Sequence, residues 1–218
     1  MRGERVRTFQ VQDFAALALQ NGRKLDARQC AKLFCYVDLL ARWNKKMNLV
    51  GPFSREKMVT DLVADSWHLA DFLSTLDIVK APVTFDLGAG AGLPGIPLRC
   101  FWPKGNYYLV EPRKKRSVFM RQALRDMGLV QTQVLNCGYQ DIDASLLPAD
   151  IVLSRAFCPW KEFLALSGGL AGAKGRVIVM ASTAKPEEKV AGWELESTWP
   201  YKARGEMYFF WSFLRDSL

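Results

Sequence analysis

The stretch FDLGAGAGLPGIPL, Phe85 to Leu98, decides how the rest of the chain is read. Gly88, Gly90, Gly92 and Gly95 crowd into one short run, Asp86 stands just before them, and Pro94 and Pro97 stiffen its end. Glycine allows a tight turn and lets backbone approach a ligand, because no Cβ intervenes. Proline suits the first turn of a helix, where a missing N–H costs nothing. With the apolar run Val83–Leu87 ahead of it, the stretch reads as strand, glycine turn, helix. In an open parallel sheet the first such turn is the usual ligand cradle.

Working outward, short apolar runs recur at Tyr107–Val110, Gln131–Leu135, Ile151–Leu153 and Val177–Met180. Helical patterns lie between them, notably Lys114–Met127 and Trp160–Leu170. Strands alternating with helices imply βαβ units and a parallel sheet. The last two runs, WELESTW and MYFFWSFL, have no helical segment between them, so a hairpin is expected, with one antiparallel strand at the sheet's edge. Residues 1–80 read as a helical extension and 81–218 as the Rossmann-like sheet domain, with the boundary near Ala81. Asp26 and Gln29 have capping-box spacing, and Leu33, Phe34, Val37, Leu40 and Ala41 then recur at helical spacing. A second helix is expected from Ser54, carrying Met58, Val59, Leu62, Val63 and Leu69 on or near one face.

Composition narrows the function. The chain has 218 residues, half of them apolar, enough for one large domain with an appendage. No apolar run is long enough for a bilayer span, and the basic start MRGERVRTFQ lacks the apolar segment of a secretory signal. Five cysteines show no C-x-x-C pair and His68 is the single histidine, so no metal site is expected. Free thiols suit a reducing cytoplasm. A net charge of +8 favours a polyanionic partner, nucleic acid foremost.

Two cofactor classes compete for the turn. Gly90, Gly92 and Gly95 spell G-x-G-x-x-G, a dinucleotide fingerprint. DLGAGAG, Asp86 to Gly92, fits the D-x-G-x-G-x-G pattern of S-adenosylmethionine enzymes. Asp86 favours the second: an acid at the strand end meets the ammonium of the methionine moiety and sits badly beside a pyrophosphate. Glu111 closes the second strand, where an acid accepts hydrogen bonds from ribose hydroxyls in either class.

Five stretches, WNKKMNLV (43–50), ADS (64–66), DLGAGAGLPGIPL (86–98), VEPRKKRSVFMRQ (110–122) and LSRAF (153–157), together resemble the bacterial 16S ribosomal RNA guanine-N7 methyltransferase G family, also called glucose-inhibited division protein B. The resemblance runs over roughly residues 25 to 214. It implies an α/β S-adenosylmethionine-dependent methyltransferase fold: a seven-stranded, mostly parallel, doubly wound sheet with a C-terminal antiparallel strand and a helical N-terminal extension. It implies methyl transfer to N7 of a guanine in 16S ribosomal RNA, on naked RNA or on the small subunit, with S-adenosylhomocysteine as product. By motif it places Gly88 and Leu93 against the cofactor, Glu111 at the ribose, Gly138 and Tyr139 at the adenine edge, and Arg155 beside cofactor and target base. The chain departs from the family pattern at Asp61-Leu62, Cys137-Gly138-Tyr139, Ser182-Thr183 and Glu206-Met207. Rival functions are a methyltransferase on another RNA or a small molecule, and a basic RNA-binding protein without activity.

Guanine N7 has an in-plane lone pair and no proton, so attack on a sulfonium methyl requires no general base. One histidine is no handicap, and catalysis reduces to alignment. Arg155 is best used on a phosphate, on the methionine carboxylate or on guanine O6; its structural alternative is pairing with an acid such as Asp150. Arg113, Lys114, Lys115 and Arg116 open a helix that Arg121 and Arg125 continue, opposite an apolar stripe of Phe119, Ala123 and Met127. Cations at a helix N-terminus oppose the helix dipole, which points to phosphate contact. Lys45 and Lys46, between Asn44 and Asn48, form a second RNA candidate or a helix C-cap. His68 is expected to pack, and the protein to act as a monomer.

Overall fold

A computed structural model describes residues 9–215. The basic start Met1–Thr8 and the end 216–218, parts of the two expected units, lie outside the described residues. Helix α1 (Val11–Gln20) leads into α2 (Ala27–Met47). Asp26 and Gln29 do form a reciprocal capping box: the Asp26 carboxylate accepts from Gln29 N–H at 2.7 Å and the Gln29 amide oxygen from Asp26 N–H at 3.2 Å. The Ser54 hydroxyl caps α3 (Arg55–Met58), which passes through a π turn at Val59–Val63 into α4 (Ala64–Thr75).

From Val83 the chain alternates. β1 (Val83–Leu87), α5 (Gly95–Leu98), β2 (Asn106–Val110), α6 (Lys114–Asp126), β3 (Thr132–Leu135), β4 (Ala149–Ser154), α7 (Trp160–Ser167) and β5 (Ala171–Ala181) precede the hairpin β6 (Trp193–Ala203) and β7 (Glu206–Arg215). The seven strands lie in the order β3-β2-β1-β4-β5-β7-β6. β7 alone runs against its neighbours β5 and β6. The antiparallel strand is therefore second from the edge, and β6 takes the edge that the sequence reading assigned to it. The reason is burial: MYFFWSFL needs apolar neighbours on both faces, whereas β6 alternates buried and exposed.

Helices α1 to α4 do not stand apart. Phe14, Leu33, Tyr36, Trp67 and Phe72 join Ile96, Phe119, Ile178 and Phe210 in one apolar cluster on one side of the sheet. A second cluster on the other side holds Phe85, Val152, Phe163 and Trp211. The half-buried His68 packs as expected, its ring 5.1 Å from that of Tyr201 and beside Trp67. No helix among the described residues is long and apolar enough to cross a membrane.

Candidate active site

The strand order reverses between β1 and β4: β1 pairs in parallel with β2 on one side and β4 on the other. The crevice beyond their carboxyl ends is where such sheets bind ligands. The glycine turn stands there. Gly88, Gly90 and Gly92 have φ of 65°, 59° and 77°, a region open to glycine at little cost. A Cβ on Gly88 would overlap the Phe157 ring, whereas one on Gly90 meets nothing nearer than the Arg116 guanidinium at 3.5 Å. Gly88 is a packing glycine, and Gly90 faces the open side of the cradle.

The turn is held by the helices that precede the sheet in the chain. Tyr36 of α2, fully buried, donates its hydroxyl to Ala91 C=O at 2.9 Å. Ser66 of α4 donates to Pro94 C=O at 3.0 Å. Leu93 is buried in the turn.

Glu111 shows which cofactor class the turn suits. Its carboxylate accepts from the Gly90 N–H at 3.0 Å and from the Arg113 N–H at 2.9 Å, with Arg116 3.8 Å away. A pyrophosphate cradled by this turn would use the Gly90 N–H, and a carboxylate already holds it. Asn136 donates to the carbonyls of Glu111 and Pro112 at 3.0 and 2.9 Å, pinning the end of β2 to the end of β3. Gly138 leads into a 3-10 turn, and the half-buried Tyr139 stands edge-on to Phe157 at 6.1 Å. Glu111 beside the turn and the rings of Tyr139 and Phe157 fit a cofactor with ribose hydroxyls and an adenine.

Asp86 sits deeper than the sequence reading placed it. Its side chain is fully buried, and one carboxylate oxygen accepts from Gly95 N–H and from the Tyr107 hydroxyl, each at 3.2 Å. The other oxygen has no partner. Asp86 thus braces the return of the loop from beneath and does not line the open cradle. Burial pushes its carboxyl up to about 8, against the pull of Tyr107 and Gly95. The unfolded group titrates near 3.9. A folded pKa above the unfolded one means stability is full below about pH 4 and declines as pH rises toward 8. The decline should approach ~1.4 kcal/mol per pH unit in that window. Urea unfolding of wild type and Asp86→Asn across pH 4–9 checks this: the amide should flatten the curve, and equal slopes would refute it.

Arg155 follows the last residue of β4, and the pairing of Leu153 with Asp86 brings it level with Gly88. Its guanidinium lies 3.3 Å from the Asp65 carboxylate and donates to Asp61 C=O at 3.3 Å. Asp65 is fully buried and also receives Arg204 at 3.2 Å and the Tyr201 hydroxyl at 3.2 Å. Burial raises its carboxyl above the usual range, and the two guanidiniums pull it back. The acid partner of Arg155 is thus Asp65; Asp150 instead accepts the Val83 N–H at 2.8 Å. The π turn delivers the Asp61 carbonyl to Arg155, and such turns recur at functional sites. Asp65, Tyr36, Ser66 and Phe157 were not singled out from sequence. ADS and LSRAF held three of these positions, Asp65, Ser66 and Phe157, without giving them a task.

The basic candidates lie along one side. Arg113, Lys114 and Lys115 are exposed at the start of α6, and Arg116 leans toward the glycine turn. Arg121 and Arg125 are exposed; Arg121 donates to Val134 C=O at 3.3 Å and Arg125 lies 3.6 Å from Asp126. Phe119, Ala123 and Met127 are buried as the stripe requires. Asn44 and Asn48 serve the end of α2: Asn44 bridges Val50 N–H and Gly51 C=O, and Asn48 has φ 48°. Lys45 and Lys46 remain exposed, and Lys46 shares a cleft with Arg42, Trp43 and Gln122 of α6. One cationic surface therefore runs from the glycine turn along α6 to the end of α2.

A family model described as rRNA small subunit methyltransferase G matches residues 29–199. The chain belongs to this family. Proteins named ribosomal RNA small subunit methyltransferase G are 44% identical over 177 residues in Nitratidesulfovibrio vulgaris, covering 81% of each chain, and 38% identical over 207 residues in Oleidesulfovibrio alaskensis, covering 90% of each. Among solved structures, magnesium protoporphyrin IX methyltransferase from Synechocystis with bound S-adenosylmethionine superposes with a TM-score of 0.56 at 13% identity, covering 88% of this chain and 98% of that one. TrmN from Thermus thermophilus gives 0.52 at 19% identity, covering 68% and 48%. These last two are likenesses of fold. As a methyltransferase G family member, the chain is an S-adenosylmethionine-dependent methyltransferase with the sheet expected from its sequence.

Proposed function

We propose that the protein transfers a methyl group from S-adenosylmethionine to N7 of a guanine in 16S ribosomal RNA. The observation that carries this is the junction at Arg116: the acid-bound glycine turn opens beside the cationic start of α6. A sulfonium cofactor and a phosphate chain would meet there. Family membership supplies the RNA class.

In this proposal Gly88, Gly90, Gly92 and Leu93 shape the cradle, and Asp86 braces it. Glu111 holds the ribose, and Gly138 and Tyr139 border the adenine. The cofactor supplies an electrophilic methyl group when bound. The chain's own residues orient the base, exclude water and fix the line of attack; no residue needs to move a proton. Arg155 is proposed to contact the cofactor's carboxylate or the target nucleotide. Residues 1–80 act as an extension that steadies the turn through Tyr36 and Ser66. The protein works as a cytoplasmic monomer.

Labelled methyl transfer to small subunits, to naked ribosomal RNA and to a metabolite extract separates this from its rivals. N7-methylguanine in 16S RNA is expected. Label in metabolites alone, or cofactor binding with no transfer to any acceptor, would overturn it.

The cationic face makes its own prediction. Phosphate contacts release counterions, so log affinity for RNA should fall linearly with log salt. Lys114→Ala with Arg121→Ala should reduce that slope by roughly one unit per lost contact and weaken cognate and unrelated RNA alike. Cofactor affinity should stay unchanged. A double variant with the wild-type slope would mean that this face is merely solvated and that the RNA lies elsewhere.

A further inference from the structure

A cavity of about 450 Å³ lies beyond the carboxyl ends of β4 and β5, between α7 and the loop that follows β5. That size suits a small organic ligand. It adjoins the glycine turn through Phe157, which packs on Gly88 and also lines the cavity. Ser154, on the inner wall, donates its hydroxyl to Leu87 C=O at 2.9 Å, so the wall is tied to the last residue of β1. Trp211 donates to Thr183 C=O at 3.0 Å, which anchors the loop over the cavity.

The charges of this cavity run against the rest of the surface. The chain carries a net +8, yet Lys161, Glu187 and Glu188 are the charged residues lining the cavity, one acid in excess. Lys161 is neutralised by Glu188 at 2.7 Å. Glu187 is exposed and, among the described residues, has no hydrogen bond or ion pair. Phe157 leaves 39% of its surface open. An open aromatic ring and a free carboxylate lining one cavity suit a flat ligand with paired N–H donors that becomes positively charged.

We propose that this cavity receives the guanine to be methylated, with Phe157 as the ring it stacks on and Glu187 as the residue that reads it. The inference rests on the methyltransferase reading above and adds the acceptor's seat. Enzymes that act on a base take it out of the stack and read its Watson–Crick edge. Guanine offers N1–H and the 2-amino group, which a carboxylate accepts together. Adenine offers a bare N1 at the same place, which a carboxylate repels. The reaction itself moves no proton. The N7 lone pair forms the bond to carbon, the carbon–sulfur bond breaks with its electron pair to sulfur, and the purine gains one positive charge. A carboxylate on the far edge of the ring stabilises that charge as it develops.

The test compares wild type with Glu187→Ala on RNA carrying guanosine or inosine at the target; inosine lacks the 2-amino group. Cofactor affinity is measured in parallel by calorimetry. With guanosine, Glu187→Ala should lose roughly 10- to 100-fold in kcat/KM, the value of a hydrogen bond to a charged group. Its preference for guanosine over inosine should vanish while its cofactor affinity stays at the wild-type value. Glu187→Gln, which keeps one acceptor oxygen, should fall between. A Glu187→Ala enzyme that keeps both the wild-type rate and the wild-type preference overturns the proposal. Wild-type protein that binds cofactor but methylates no guanosine overturns the function from which it follows, a distinct result.

Discussion

Valine at position 90 should yield a folded protein that no longer binds S-adenosylmethionine. Gly90 has φ 59°, and a β-branched residue there costs on the order of 1–2 kcal/mol. Set against a typical stability of 5–15 kcal/mol, the fold survives with a melting point lowered by a few degrees. The new side chain has room, since a Cβ at 90 meets only Arg116 Nη1 at 3.5 Å and Gly88 O at 3.7 Å, both ordinary contacts. That room is the cradle. Calorimetry with S-adenosylmethionine should show no binding heat, and the ligand should no longer raise the melting point. Affinity within a few-fold of wild type would mean that the cofactor does not cross the turn at Gly90.

A neighbouring position makes the control. Alanine at 95 places its Cβ 2.6 Å from Asp86 Oδ2 and from Leu109 Cδ2, all inside the protein. Crowding of this kind costs roughly 1–3 kcal/mol. Gly95→Ala should therefore lose stability and binding together, whereas Gly90→Val loses binding alone. Urea midpoints beside binding heats tell the two apart.

What sequence could show follows from how local each feature is. β1 was legible to the residue, because an apolar run, an acid and a glycine turn are adjacent in the chain. β5 was read as Val177–Met180 but begins at Ala171. Gly172 and Gly175 break its apolar pattern, and a Cβ on Gly175 would stand only 2.9 Å from Ala149 O, so close strand contact explains the glycine. Helix α7 stops at Ser167, before Gly168 and Gly169, three residues short of its apolar pattern. α1 lay inside the 1–80 stretch read as helical but was not set apart as an element; its apolar residues are spread around the helix, and Phe14 and Ala18 alone are fully buried. The order of the last two strands was legible in principle: an unbroken apolar run belongs inside the sheet and an alternating one at its edge. The supports of the site were not. Tyr36 to Ala91 and Asp65 to Arg204 join residues far apart in sequence, and no local pattern encodes such pairs. Asp86 shows the converse: its motif was legible, its burial was not.

Arg155→Ala should cut methyl transfer about 100-fold or more without unfolding the protein or changing the salt dependence of RNA binding. Removing one partner of a buried ion pair ordinarily costs 3–5 kcal/mol, because a naked charge remains. Asp65 would not be left naked here, since Arg204 and the Tyr201 hydroxyl both remain at 3.2 Å. The expense of losing Arg155 is thus softened, and the same sharing leaves its guanidinium able to turn to a cofactor carboxylate or a nucleotide. Asp65→Asn has no such relief: two guanidiniums lose their carboxylate at once, and stability should drop by roughly 3–5 kcal/mol. For Arg155→Ala the loss should appear in kcat, about 10²-fold or more, as expected when a reacting pair is held but misaligned. Lysine at 155 keeps the charge but not the planar fork and should recover only part of it. If Arg155→Ala keeps its rate while its melting point falls, Arg155 is a strut between β4 and α4, and alignment at N7 belongs to residues of the neighbouring cavity.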